Sequence, residues 1–374
     1  MSDLKLLYFA GHCLALDEKP DFREEVIRTI NSEDFDLNRF VFVCSGHLVL
    51  QTIYLKFKEH NILEELPEEL SSHLEKIYRL NVSRNERILG QVRHIASVLR
   101  KADIKPVFLK GSGNLADGVY SDSGERLMND IDFLVSDNDY LGTAKLLKDE
   151  GYLQEEETED WQEIGKDKHY PSLSHPDYPA YVEIHRLPTD KKYTNILSPD
   201  LIQGSMTEVR SWPGCFVPAD HHKIMHNFVH GQLSNEGNLL GIVSLRDVYD
   251  LYLLSKRFSL KEVLTYFRKT AKVKAYFTMC GKILGLNEAF FSQPNFTFWV
   301  LDKRHHLNLS SRYFYKINHS IIFIYQRLAH GYIGLAISMI YSKEKRNYFW
   351  SRISNKRWYA SHVKLYTRFF KGEN

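Results

Sequence analysis

The stretch 107–135, VFLKGSGNLADGVYSDSGERLMNDIDFLV, constrains this chain more than any other. It opens with a short apolar run bounded by Pro106 and Gly111, the pattern of a buried strand ending in a turn. It closes on NDIDFLVSD, which alternates like a second strand. Strand residues two apart project to one face, so Asp130 and Asp132 share a side and Ile131 lies on the other. Two adjacent carboxylates repel unless a cation stands between them, and hard oxygen donors suit Mg²⁺. The turn between the strands reads Lys110-Gly111-Ser112-Gly113. Its glycines carry no Cβ to obstruct approach, so backbone N–H groups and a hydroxyl can come close to phosphate oxygens. Glu183 lies in a later alternating segment, YVEIHRL, with His185 two residues on and therefore on the same strand face. Three carboxylates can hold two metal ions, the arrangement used for in-line attack on phosphorus.

The flanks read differently. Residues 1–100 place apolar side chains at three- and four-residue intervals, the mark of amphipathic helices, and Ile88, Val92, Ile95 and Leu99 would form one stripe. Residues 101–217 carry the strands, with DYLGTAKLLKDEG as a helix closed by Gly151 and EEETEDWQEIGKDKHYPSLSHPD as an irregular acidic stretch. Helical periodicity returns over 218–300, and a basic aromatic helical tail occupies 301–374. The fold class expected is α+β, a small mixed sheet between N-terminal and C-terminal helical regions. A chain of 374 residues, 43% hydrophobic and 26% charged, buries an ample core without disulfides. Its four cysteines form no CxxC pair, so neither a zinc module nor a disulfide framework is indicated.

Net charge is +2, but it is unevenly spread. Residues 301–374 hold 14 Lys+Arg against 3 Asp+Glu, while the first 300 hold 35 against 44. Cations interleaved with Tyr, Phe and Trp suit an anionic membrane surface or polymer; the plainer alternative is a helical segment whose cations are merely solvated. The most apolar part of the tail, Tyr332 to Ile340, is too short to span a bilayer, which takes about 20 residues. The N-terminal segment lacks the basic start of a signal peptide. The location expected is cytoplasmic, with peripheral contact at the inner membrane face.

The residues resemble a known family. The order of apolar strand, Gly-Ser, spacer and DxD is similar to the DNA polymerase β-like nucleotidyltransferase superfamily. More closely, it resembles a bacterial uncharacterised nucleotidyltransferase family patterned LKG…Y…R.M.DIDLLV. Here the pattern reads Leu109-Lys110-Gly111, Tyr120, Arg126, Met128 and Asp130-Ile131-Asp132-Phe133-Leu134-Val135. Asn85, Glu183-Ile184-His185, His226, His230, Arg246 and Asp250 extend the likeness over roughly residues 70–255. The resemblance implies transfer of a nucleoside monophosphate from an NTP to an acceptor, with release of pyrophosphate. It implies two Mg²⁺ ions, with Mn²⁺ an alternative, on Asp130, Asp132 and Glu183. Gly111 and Ser112 would touch the triphosphate, and Lys110 and Arg126 would neutralise its charge.

Outside that set, His222, His226 and His230 recur every four residues. A helix spaces the first and last by roughly 12 Å, so they cannot share one ion. His226 and His230, with His185, are candidates to line a substrate cleft. Asp250 is expected to pair with Arg246 at i,i+4. Two other readings stand beside catalysis: a silent nucleotide-binding relative, and a membrane- or polyanion-binding protein acting through its tail.

Overall fold

A computed structural model describes residues 1–154, 168–286, 294–326, 334–343, 346–347 and 350. The chain divides into two compact units, Met1–Ser310 and Ser311–Asn374.

The first unit is built on a mixed seven-stranded sheet, ordered β3-β4-β5-β2-β1-β7-β6. Its centre is β1 (Val107–Phe108), β2 (Asp130–Leu134) and β5 (Tyr181–His185). β1 runs antiparallel to β2, and β2 runs parallel to β5 over five residue pairs. Ile131, Phe133, Leu134, Val182 and Ile184 are all fully buried, so the middle strands are apolar on both faces away from the acidic positions. β3 (Leu153–Gln154), β4 (Leu173–Ser174), β6 (Thr207–Glu208) and β7 (Phe216–Val217) extend the edges. Each is two residues long, too short for alternation to be read. β4 falls within the stretch expected to be irregular, while residues 155–167 of that stretch lie outside the described residues.

Helices cover the sheet. The longest, Glu68–Lys101, follows Pro67 and spans roughly 50 Å at about 1.5 Å per residue. It buries Ile88, Val92, Ile95 and Leu99 as one stripe, as expected. Tyr140–Asp149 buries Tyr140, Thr143, Ala144 and Leu147, the i, i+3, i+4, i+7 positions of a helix face. C-terminal to the sheet come Asp220–Phe228, a π-helical turn Val229–Ser234, Leu245–Ser255 and Ala271–Leu284. The helix Phe296–Ser310 completes the unit, burying Leu301, His305 and Asn308. The first ten residues of the basic tail thus belong to the compact body.

The second unit contains the helices Arg312–Gln326 and Gly334–Tyr341; residues 351–374 of the tail lie outside the described residues. Among the described residues, no single helix is long and apolar enough to cross a membrane.

Candidate active site

The site forms where β1 ends and the helix Lys110–Ala116 begins, beside β2 and β5. Parallel pairing sets Asp132 directly opposite Glu183, with Asp130 opposite Tyr181 and Leu134 opposite His185. Register partners sit one strand spacing apart, about 4.8 Å, whereas Asp130 is a full two-residue repeat away along β2. The donor atoms of Asp132, Glu183 and His185 therefore converge within 4.8 Å of one another. Asp130 stands outside that group, at the exposed end of β2, where it lines the adjoining cavity.

Asp132 is buried and accepts from the Lys110 ammonium at 2.6 Å and from His185 Nε2 at 2.8 Å. Burial alone would raise its pKa, but these two cations hold it well below the usual carboxylate range. Glu183 Oε2 lies 3.3 Å from His185 Nε2, and that contact lowers its pKa in turn. His185 is fully buried, which opposes protonation, yet the two carboxylates raise its pKa above the ordinary value. Its other ring nitrogen, Nδ1, is 3.3 Å from the Leu187 carbonyl, so the ring donates to that carbonyl as well as from Nε2 to the acids. Asp130 is raised, first by desolvation at the cavity wall and then by the negative charge of Asp132.

Lys110 reaches Asp132 from a backbone in the left-handed region, φ +48°. A non-glycine residue there costs about 1 kcal/mol, strain of the kind that collects at functional sites. Gly111 follows because nothing larger fits: a Cβ there would overlap the Arg126 guanidinium. At Gly113 a Cβ would fall on the Phe108 carbonyl, so this residue lets the helix pack against β1. Ser112 lies in the same turn, but its hydroxyl is buried and donates to the Leu109 carbonyl at 3.1 Å. Gly111 lines the cavity and the Ser112 side chain does not.

Arg126 is buried on the loop between this helix and β2. Asn85 Nδ2 donates to the Arg126 carbonyl at 2.7 Å, and Asn81 Nδ2 to the Gly124 carbonyl at 2.8 Å. The Glu125 carboxylate accepts from the Ser121 hydroxyl at 2.5 Å and from Tyr249 at 2.8 Å. Thus pinned, Arg126 Nε meets Asp250 Oδ2 at 3.0 Å, and Tyr120 donates to Asp250 Oδ1 at 2.5 Å. The expected Asp250–Arg246 pair is not made. A buried guanidinium must find a carboxylate, whereas an i,i+4 pair on a helix surface gains only a few tenths of a kcal/mol. Arg246 lies instead 3.9 Å from Asp247.

Lys110, Gly111, Arg126, Asp130 and Asp250 line a cavity of about 280 Å³, whereas Asp132, Glu183 and His185, the last expected at a substrate cleft, are not among its lining residues. Its far wall carries Lys223, His226, Asn227 and His230, the i, i+3, i+4, i+7 stripe of one helical face, with Arg246 and Asp247 beside it. Of the histidine repeat, His226 and His230 line this wall, whereas His222 turns away to Ser205 at 2.8 Å. Lys223, Asn227 and Asp247 escaped the sequence reading, although the polar stripe itself is visible in KIMHNFVH. Burial, reinforced by the charge of Lys110, lowers His226 to about 3 and His230 to about 2, so both imidazoles are neutral near pH 7.

A model of the uncharacterised nucleotidyltransferase family matches residues 33–292. No curated protein matches the chain. The matched span takes in the whole sheet, the acidic cluster and the residues that line the cavity. The chain belongs to the uncharacterised nucleotidyltransferase family and is a transferase.

Proposed function

We propose that the protein moves a nucleoside monophosphate from an NTP to an acceptor hydroxyl, with release of pyrophosphate, using Mg²⁺ or Mn²⁺. The observation that carries this reading is the register of β2 on β5, which brings Asp132 and Glu183 side by side beneath the Lys-Gly turn. The residues suit a divalent ion: two carboxylates and one imidazole converge, and the protein's own cation, the Lys110 ammonium, already sits 2.6 Å from Asp132. Asp132, Glu183 and His185 would hold one ion, and Asp130 with Asp132 would face a second at the cavity mouth. Metal bound there supplies Lewis-acid polarisation of the α-phosphate and stabilises the charge that develops on it. The nitrogen donor makes Mn²⁺ as suitable as Mg²⁺.

The chain's own residues do the remainder. Lys110, released from Asp132, is within reach of phosphate oxygens. Gly111 admits the triphosphate close to the first-turn N–H groups, which have no upstream carbonyl to bond. Arg126, fixed by Asp250, keeps a positive charge against the same wall. The acceptor oxygen bonds to the α-phosphorus, the bond to the bridging oxygen breaks, pyrophosphate leaves, and Glu183 takes the hydroxyl proton. The test is Asp130→Asn, because Asp130 is exposed and its removal leaves the buried pairs intact. Loss of pyrophosphate release at an unchanged unfolding midpoint supports the reading, and undiminished release refutes it.

The tail supports a second, compatible reading: peripheral binding to an anionic lipid surface from the cytoplasmic side. On the helix Arg312–Gln326, Tyr313 (76% exposed), Ile317, Ile321 (61%) and Ile324 follow one another at helical spacing, an apolar stripe open to solvent. Flotation of the intact chain with phosphatidylcholine vesicles, with and without phosphatidylglycerol, tests it. Binding that needs the anionic lipid and is lost in Ile321→Glu supports this reading.

A further inference from the structure

One wall of the cavity is built from the helix Asp220–Phe228, the π turn after it and the first turn of Leu245–Ser255. It holds unused hydrogen-bonding capacity. His226 is 3% exposed and lines the cavity, yet its Nε2 has no partner. The buried Nε of Arg246 has none either. Buried polar atoms are seldom left unpaired, because each costs about 1–3 kcal/mol, and those that are call for a ligand or water. Asn227, by contrast, is committed: it accepts from Tyr276 at 2.8 Å and donates to the Asp247 carbonyl at 3.0 Å. Lys223 is likewise taken up by Asp117 and Asp220. Irregular π turns of this kind recur at functional sites, where they reposition side chains.

The lining is also selective by what it lacks. Among the described residues, Pro218 is the one apolar side chain around the cavity, and no phenyl, phenol or indole ring lines it. A nucleobase or a tyrosine phenol brings a flat apolar ring that would need such surfaces. His230 Nε2 is met by Asn235 Nδ2 at 3.4 Å, so the groups that remain available are the His226 imidazole, the Arg246 Nε–H and one carboxylate, Asp247. The charges of Arg246 and Asp247 offset each other, so the wall has no strong preference for a charged ligand. A donor and an acceptor side by side match hydroxyl groups, each of which donates and accepts.

Resting on the proposed nucleotidyl transfer, we infer that this wall is the acceptor subsite and that the acceptor is a small polyhydroxylated molecule, a sugar or polyol. Asp247 and Arg246 hold its neighbouring hydroxyls, and His226 Nε2 takes a third. The transfer is the one already described: a hydroxyl oxygen of this molecule bonds to the α-phosphorus, pyrophosphate departs, and Glu183 receives the proton. A protein side chain would present one hydroxyl and leave the other groups of this wall unsatisfied, and an RNA terminus would bring a flat base to a wall with no phenyl, phenol or indole ring to stack it.

The test uses the full chain with each α-labelled NTP and Mg²⁺ or Mn²⁺. Separate arms contain neutral sugars and polyols, sugar phosphates, casein, or RNA. The expected result is label on a sugar or polyol, or on a sugar phosphate through its hydroxyls. The variants His226→Ala and Arg246→Gln should then raise the KM for that acceptor by about tenfold, the effect of one lost hydrogen bond. Arg246 is partly exposed, so its substitution is compatible with folding, and both variants should bind NTP with unchanged affinity. Label appearing only on casein or RNA overturns the inference while leaving nucleotidyl transfer standing. So does a polyol acceptor whose KM neither variant alters. Absence of pyrophosphate release in every arm overturns the transfer reading and the inference with it.

Discussion

Asp132 is at once the site's central acid and a structural residue. It neutralises the half-buried Lys110 ammonium and the fully buried His185 ring beside it. Removing one partner of a buried ion pair costs about 3–5 kcal/mol. Asp132→Ala should therefore lower the unfolding midpoint in urea as well as abolish turnover. Asp130→Asn should abolish turnover and leave the midpoint unchanged, since this exposed carboxylate takes no part in the buried pairs. The pH dependence follows from the same pairs. Asp132 has a depressed pKa, so its contribution is present above the unfolded value of about 3.8 and is lost as pH falls through the lower folded value. His185 has a raised pKa, so its contribution is full below about 6.5 and is lost as pH rises through the higher folded value. The stability difference between wild type and His185→Gln, measured by urea unfolding, should thus be largest between about pH 4 and pH 6.5. The acids were legible because strand alternation sets their facing. The role of His185 as third donor depends on which residue of β5 faces Asp132, and no local pattern encodes that.

At the scale of elements, the site depends on how the loop 117–129 is clamped. The long helix supplies Asn81 and Asn85, the helix Leu50–Glu59 supplies Thr52, whose hydroxyl donates to the Glu125 carbonyl at 2.5 Å, and Leu245–Ser255 supplies Tyr249 and Asp250. Arg126 and Gly111 fit each other within this clamp. Gly111→Ala should displace the guanidinium and destabilise the fold by about 1–3 kcal/mol, the usual range for overpacking. In an Arg126→Ala background the same change should cost much less, and a double-mutant cycle on thermal unfolding measures that coupling. The motif residues Asn85, Tyr120 and Arg126 stand out in the sequence as part of a pattern. Their work as a clamp becomes visible only when distant helices meet the loop. The helices and the two five-residue strands were readable from periodicity. The two-residue edge strands were not, since each exists only by pairing with a neighbour. The segment read as continuous from Leu260 breaks into Leu260–Val263, a 3₁₀ turn Leu264–Tyr266, and Ala271–Leu284.

For the whole molecule, the compact body extends to Ser310, past the point where the basic composition begins. Leu301, His305 and Asn308 are buried in it, with Asn308 Nδ2 donating to the Leu240 carbonyl at 2.7 Å and Asp302 meeting Lys282 at 2.6 Å. Truncation after residue 300 should therefore lower the thermal midpoint markedly more than truncation after Ser310, a comparison that calorimetry settles. The sequence by itself determined the α+β class, the acidic strand and the basic aromatic tail, because each follows from short-range periodicity or from composition, whereas the expected turn Lys110–Gly113 is the start of the helix Lys110–Ala116. Tertiary structure alone decided that Glu183 lies opposite Asp132, that Asp250 belongs to Arg126, that the Ser112 hydroxyl is turned inward, and which helix face closes the cavity. Those outcomes rest on strand register and on which buried charges find partners, both set by contacts between residues far apart in the chain.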